Sequence, residues 1–418
     1  MKNYRVKNIS LAQEGKKKVY WAKTHMPVVE TISREFTKRK PFKGLTIAVS
    51  LHVTKDTAVL VHAIRAGGAT VALCGCNPLS TQDDVAAALA DDGFHVYAWR
   101  GQTNSEYYDC IHAVLDFKPD ITIDDGCDLV SMVHTKRKDL LKKIRGGCEE
   151  TTMGVNRLRI MEKESALKYP MIAVNDAYTK HLFDNRYGTG QSSLDGVLRA
   201  TNILFSGKRI VVVGYGWCGR GTAAKARGWG ANTIVCEIDP IKALEAIMDG
   251  FSVMSMNEAA KIGDVFITVT GNTNVITLKH IKSMKDGAIL ANAGHLDREI
   301  EVAELKKAAI KSQEIRPNNV EYTMPGGKKI YLLGEGRIIN LVSAEGHPSE
   351  VMDMSFATQA LSAEYINDHY KELEPKVYKT PLEQDQKIAW LKLKSMGVSI
   401  DSLTTTQKKY LTSWKEGT

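Results

Sequence analysis

Short apolar runs recur along the chain, bounded by glycine, proline or charge and separated by stretches of helical periodicity. The first set is Leu45-Thr46-Ile47-Ala48-Val49, Val71-Ala72-Leu73, His95-Val96-Tyr97-Ala98-Trp99 and Ile121-Thr122-Ile123-Asp124-Asp125. Helical segments such as Thr57 to Ala66 and Asp83 to Ala90 lie between them. Strands alternating with helices predict a largely parallel sheet covered on both faces, so one doubly wound unit is expected before residue 180. A second set begins at Arg209 and runs through Val235, Val265-Phe266-Ile267-Thr268-Val269, Ala288-Ile289-Leu290-Ala291 and Lys329-Ile330-Tyr331-Leu332-Leu333. No repeat or low-complexity linker divides the two sets. The boundary is therefore expected in the polar, glycine-bearing stretch from Asp184 to Gly190, and Pro375 to Pro381 reads as an extended link to a terminal helical tail. The predicted fold class is α/β, two doubly wound parallel-sheet domains plus a short C-terminal helical tail.

The second unit opens on Ile210-Val211-Val212-Val213-Gly214-Tyr215-Gly216-Trp217-Cys218-Gly219-Arg220-Gly221, where an apolar run breaks into Gly-x-Gly-x-x-Gly and then into helix. Glycines at this spacing permit a tight turn and bring backbone N–H groups and a helix N-terminus against a pyrophosphate. The next run, Thr233-Ile234-Val235-Cys236, ends in Glu237, about twenty residues past the turn, where an acid takes the ribose hydroxyls of NAD and repels the 2′-phosphate of NADP. NAD is the expected cofactor.

Composition adds exclusions. A chain of 418 residues exceeds one typical core, which fits two domains. No segment approaches eighteen consecutive apolar residues, so no membrane partner is expected. Met1-Lys2-Asn3-Tyr4-Arg5 leads into polar sequence without a signal-peptide core, and seven cysteines lack a disulfide framework spacing; both point to the cytoplasm. The net charge of +8 rests on short scattered runs such as Lys16-Lys17-Lys18, Lys38-Arg39-Lys40 and Lys136-Arg137-Lys138, with no stacking array, so no nucleic-acid partner is expected. Cys74 and Cys76 sit in a strand-like run with no matching His/Cys pair and read as buried thiols. No metal site is expected.

A dinucleotide domain in the second half leaves the chemistry to the first half and the crevice between them. The candidates there are His52 after the first strand, Asp125 at a strand end, Glu150, Lys180, Asp184, Asn185, and two histidines preceded by glycine, His295 and His347. Each has a plainer reading alone, but together they sit at strand ends and in glycine-bearing loops, where ligands of α/β sheets bind.

Leu51-His52-Val53-Thr54, Ser80-Thr81-Gln82-Asp83, Asp124-Asp125-Gly126, Glu149-Glu150-Thr151-Thr152, Phe183-Asp184-Asn185-Arg186-Tyr187-Gly188, Gly294-His295 and Gly346-His347-Pro348-Ser349 closely resemble S-adenosyl-L-homocysteine hydrolase, in register from about residue 45 to about residue 360. The resemblance implies reversible hydrolysis of S-adenosyl-L-homocysteine to adenosine and L-homocysteine, by NAD-dependent 3′-oxidation, C4′ deprotonation, elimination, water addition and re-reduction. It implies a homotetramer acting in the methyl cycle of one-carbon metabolism. It also implies a substrate-binding domain over 1–182 and 345–395, a Rossmann domain over 183–344 and a tail over 396–418. S-inosyl-L-homocysteine hydrolysis is the alternative within the fold. A net dehydrogenase or a non-catalytic nucleotide-binding regulator stands further off, because neither requires all of these segments and ionisable groups together.

By the same resemblance, Lys180 and Asp184 meet the 3′-hydroxyl, with a lysine of lowered pKa accepting its proton. Asp125, Glu150 and His52 line the C4′ and C5′ side, and His295 and His347 close over the substrate. Thr54, Asp56 and Met352 complete the substrate set. Thr151, Thr152, Asn185, Gly214, Gly216, Trp217, Cys218, Gly219, Glu237, Thr270, Asn272 and Asn340 match cofactor positions.

Several positions depart from the family pattern. Asp56 stands where Glu commonly faces the adenine amino edge, Glu345 where Met is common and Leu296 where Phe follows the gate histidine. Trp217 and Thr189 are further replacements. The chain ends Ser413-Trp414-Lys415-Glu416-Gly417-Thr418 in place of the Lys- and Tyr-bearing tail that reaches a neighbouring subunit's cofactor, so a more exchangeable NAD is expected.

Overall fold

The computed structural model describes residues 4–415. Met1-Lys2-Asn3 and Glu416-Gly417-Thr418, parts of the terminal segments read from the sequence, lie outside the described residues. The protein is built on two eight-stranded sheets. In the first, all strands are parallel, in the order Arg5–Val6, His95–Ala98, Thr70–Cys74, Thr46–Ser50, Ile121–Asp124, Gly146–Glu149, Met171–Ala173 and Val377–Lys379. Strand order reverses between Thr46–Ser50 and Ile121–Asp124, which makes a crevice at their carboxyl ends. Ile47, Val49, Ile121 and Ile123 are wholly buried, as strands covered by helices on both faces require.

The second sheet runs Ser252–Val253, Asn232–Cys236, Arg209–Val213, Val265–Thr268, Ala288–Asn292, Lys329–Leu333, Asn319–Thr323 and Lys311–Arg316. Its switch point lies between Arg209–Val213 and Val265–Thr268. The last two strands form an antiparallel hairpin on the otherwise parallel sheet. Sequence patterning misses it because all six residues of Lys311–Arg316 are exposed and carry no alternation.

Other elements correct the sequence reading. Gly146–Glu149 carries no apolar run yet is fully buried, and a Cβ on Gly147 would lie 2.2 Å from Thr122 Oγ1. The strand is close-packed through its lack of side chains. The stretch Asp184 to Gly190, where the boundary is expected, is helical: widened π-helical turns over His181–Gly188 run directly into the helix Thr189–Thr201. Pro375 to Pro381 is more than an extended link, since Val377–Lys379 pairs with Met171–Ala173 as an edge strand of the first sheet. The long helix Ser349–His369 also packs into the first core through Met354, Phe356, Ala357, Ala360, Leu361, Ala363 and Ile366. Beyond the helix Leu382–Ser395, the helix Thr405–Leu411 buries nothing. Among the described residues, no helix is long and apolar enough to cross a membrane.

Candidate active site

The strand Thr46–Ser50 delivers His52 and the strand Ile121–Asp124 delivers Asp125 to the two sides of the first switch point. His52 Nε2 stands 3.5 Å from Asp125 Oδ2, and His295 Nδ1 stands 3.5 Å from Asp125 Oδ1. His295 follows the strand Ala288–Asn292 of the other sheet. The carboxyl ends of both sheets therefore converge on one carboxylate. Gly126 is obligatory beside it: its φ is +106°, and a Cβ there would lie 2.5 Å from His295 Nε2.

Lys180 ends the short helix Tyr178–Lys180, and Asp184 and Asn185 come from the widened turns that follow, a geometry that recurs at functional sites because it turns side chains out of the regular helical register. Lys180 Nζ donates to Asn185 Oδ1 at 2.8 Å and lies 3.3 Å from Asp184 Oδ1 and 3.6 Å from Glu150 Oε1. All four side chains are buried. Burial pushes the Lys180 ammonium down, but Asp184 and Glu150 outweigh it and hold the pKa above the ordinary lysine value. Burial likewise opposes the Asp184 charge, yet Lys180, His347 and the Ser355 hydroxyl hold its pKa low. The lysine of lowered pKa expected from the resemblance is thus corrected: the buried Asp184 carboxylate, foremost, keeps Lys180 a cation here.

Glu150 behaves oppositely to Asp184. Burial raises it to about 8, with Lys180 drawing it back, while Gln359 Nε2 donates to Oε2. Its Oε1 has no hydrogen-bond partner. Glu150 is accordingly a neutral acid at pH 7, and His52, lowered to about 4 by burial, is a neutral imidazole. If Glu150 donates a proton in turnover, kcat falls as pH rises through about 8, because deprotonation removes the donor. A pH–rate profile of Glu150→Gln is expected to lose that limb, along with about 10²-fold of the rate.

The remaining candidates arrange around this centre. His347 Nε2 lies 3.6 Å from Asp184 Oδ1 and 3.1 Å from Thr189 Oγ1, which in turn donates to Cys218 Sγ at 3.5 Å. Thr189 thereby links the first sheet's histidine to the helix after the glycine turn. Thr54 caps the helix Lys55–Ala66, its Oγ1 accepting from Thr57 N. Asp56 is buried beneath it and accepts from Ser349 Oγ, with burial raising its pKa. Met352 packs half-buried against the first core. Glu345 pairs with Lys55 at 3.2 Å and Arg199 at 3.7 Å at the rim, while Leu296 is exposed.

The second switch point fits a dinucleotide. Gly214 has φ +107°, and its Cβ would meet Thr270 at 3.1 Å; a Cβ on Gly219 would strike Gly214 O at 2.0 Å. Gly216 has nothing within 4 Å of its would-be Cβ, and no side chain caps the helix Trp217–Gly228 that follows. Open space and free first-turn N–H groups are what a pyrophosphate requires. Glu237, at the end of Asn232–Cys236, accepts from the N–H groups of Tyr215 (2.6 Å), Ile238 (2.7 Å) and Asp239 (3.1 Å), which fix its side chain at the ribose position. Asn340 Nδ2 donates to Ser192 Oγ at 3.1 Å, leaving a buried Oδ1 without a partner, suited to a carboxamide donor. Trp217 lies against the His181 ring and under the Arg220 guanidinium. Thr151 precedes the helix Thr152–Lys163, and the Thr152 hydroxyl accepts from Asn185 Nδ2 at 3.5 Å. Thr270 is tied to Glu299, and exposed Asn272 only closes its own loop onto Thr273 N.

Sequence reasoning missed Gln359, Ser355 and Cys76. The first two belong to a helix whose buried face carries Ser355, Thr358, Gln359 and Ser362 instead of aliphatic residues. That polar buried face was the available signal. Cys76 is a buried free thiol, as read from the sequence, and its Sγ lies 3.7 Å from Asp125 Oδ2 in a group with His52.

Proton-carrying groups of one doubly wound sheet thus stand against the dinucleotide turn of another, the arrangement of an enzyme that works a small molecule with a resident dinucleotide. Residues 3–141 match the S-adenosyl-L-homocysteine hydrolase family, and residues 185–346 match the NAD-binding domain of the same family. The chain belongs to the S-adenosyl-L-homocysteine hydrolase family, and NAD is its cofactor. It is similar to the S-inosyl-L-homocysteine hydrolase of Methanocaldococcus jannaschii, 61% identical over 99% of this chain and 100% of that one. It is also similar to the adenosylhomocysteinases of Pyrococcus abyssi, 58% identical over 100% of this chain and 99% of that one, and of Saccharolobus solfataricus, 57% identical over the whole of both chains.

Proposed function

We propose that the chain reversibly hydrolyses S-adenosyl-L-homocysteine to adenosine and L-homocysteine. The observation that carries the reading is the buried Lys180–Asp184 ion pair beside the neutral acid Glu150, held where the two sheets converge. NAD supplies a reversible two-electron oxidation at the ribose C3′. The chain's own residues handle protons and charge. Lys180 and Asp184 bind the 3′-hydroxyl and balance charge at its oxygen. Glu150, His52 and Asp125 serve the C4′ and C5′ side, where one proton leaves carbon and another reaches the departing sulfur. His295 and His347 close the ends of the crevice against water. The glycines of the turn, with Glu237, Asn185 and Asn340, hold the cofactor.

We assign substrate binding to 1–182 and 345–395, and cofactor binding to 183–344. The helix Pro240–Met248 exposes Ile241, Leu244, Ile247 and Met248, an apolar face that supports a homotetramer. Seven free cysteines support a cytoplasmic setting.

A second reading, S-inosyl-L-homocysteine as substrate, is favoured by Asp56. A carboxyl group whose pKa burial raises can donate to a 6-oxo group as well as accept from a 6-amino group. Free-thiol release by the NAD-loaded protein, given both nucleosides in parallel, tests the two. Higher kcat/KM for the adenosyl compound is expected. Preference for the inosyl compound reassigns the base and keeps the mechanism, whereas release from neither overturns the hydrolase reading.

A further inference from the structure

We propose that His52, Cys76 and Asp125 form a three-ligand binding site for a thiophilic divalent cation of the zinc type, with solvent as its fourth ligand, and that its occupancy blocks the crevice. One ligand atom from each of His52, Cys76 and Asp125 lies within 4.8 Å of the others. The geometry is more specific than proximity. His52 Nε2 to Asp125 Oδ2 is 3.5 Å, Cys76 Sγ to the same oxygen 3.7 Å, and His295 Nδ1 to Asp125 Oδ1 3.5 Å. The two histidine contacts are long for direct N–H···O hydrogen bonds. The His52 and Cys76 distances to the shared Oδ2 match the edges of a tetrahedron about zinc, where standard bond lengths put N and O about 3.4 Å apart and S and O about 3.6 Å apart.

The hydrogen-bond network argues the same way. Ser80 Oγ lies 2.7 Å from His52 Nδ1 and 3.3 Å from Asn77 O, so when its one proton goes to Asn77 it accepts from His52 Nδ1–H. In that tautomer His52 Nε2 presents a lone pair towards a carboxylate oxygen, two acceptors facing across 3.5 Å. Asp125 Oδ1 is buried without a hydrogen-bond partner. A cation among these atoms satisfies both acceptors. Ser80 becomes the outer partner that fixes the imidazole tautomer, as outer partners of metal-bound histidines commonly do. The Cys76 thiol gives up its proton to solvent on binding and ligates as thiolate. Sulfur and imidazole together select zinc-like ions over magnesium or calcium.

The same residues line the C4′ and C5′ side of the proposed substrate site, so cation and substrate exclude one another. The site itself rests on the geometry alone, and its test needs no turnover. NAD-loaded protein is titrated with Co²⁺ and Zn²⁺, reading the sulfur-to-cobalt absorption band and its displacement by zinc. One four-coordinate cobalt per chain with a sulfur band is expected. Cys76→Ser loses the band and weakens zinc at least about tenfold, and Ser80→Ala weakens it about 10- to 100-fold. Cys236→Ser, in the other sheet, leaves both unchanged. Absence of a sulfur band in the parent protein overturns the site. So does unchanged zinc affinity in both Ser80→Ala and Asp125→Asn, which remains decisive if Cys76→Ser does not fold.

Discussion

Replacing Lys180 by alanine lowers kcat for thiol release by about 10³-fold, within the 10²- to 10⁴-fold range of a positioned acid–base group. The side chain touches Asp184, Glu150 and Asn185 at once and is 5% exposed, so no solvent cation replaces it. Alanine leaves Asp184 buried without its main compensating charge. Breaking a buried pair in this way costs about 3–5 kcal/mol, which thermal unfolding will register as a lowered Tm. Stability and chemistry are separated by Lys180→Arg, which keeps the cation and much of the ion pair. Arginine cannot shuttle a proton and its fork is wider than an ammonium, so Tm recovers while kcat stays low. Because Asp184 holds Lys180 protonated, its first service is to stabilise negative charge at the 3′-oxygen. To accept a proton it must first pass one on, and Asp184 is the carboxylate in reach. A Lys180→Ala protein that keeps more than about a tenth of the parent kcat would remove Lys180 from this role.

The lysine shows what sequence can and cannot say here. Its position after an apolar strand was legible from motif and spacing, but its charge state depends on Asp184 and on Glu150, thirty residues upstream, brought together by the widened turns. The same limit applies at Asp125, whose neighbours His52, Cys76 and His295 come from three separate loops. Both central sheets were legible because their strands are apolar on both faces. Gly146–Glu149 was not, since its packing depends on missing side chains, and Lys311–Arg316 was not, since an exposed edge strand need not be apolar. The stretch 184–190 reads as a boundary from its polar and glycine residues, which usually break helices, so its helical form was not legible. Here the glycines let two helical segments touch at backbone distance.

Gly221→Ala exploits that contact and is expected to lower Tm by about 3–10 °C while releasing NAD. The glycine lies two residues past the one assigned to the cofactor turn. A Cβ on it would fall 1.6 Å from Arg186 O and, on Gly190, 2.6 Å from the Gly221 carbonyl. The obstructing atoms are backbone on both sides, so no rotamer change relieves the clash. Overpacking of this kind costs about 1–3 kcal/mol and sometimes more, and each kcal/mol shifts Tm by about 2–4 °C in domains of 150–250 residues. The loss reaches function because the crossing sets the distance between the helix that starts at Trp217 and the turns that carry Asp184 and Asn185. Moving them apart misaligns the free N–H groups from Asn185 and opens the cofactor's bed. Gly228→Ala on the same helix is the matched control. Nothing lies within 4 Å of its Cβ, and its backbone stays in the ordinary region. Alanine there gains helix propensity and leaves Tm and NAD retention equal to or above the parent. Tm and NAD retained through gel filtration, measured on both variants, decide it: equal behaviour would mean that this close crossing does not set the cofactor site.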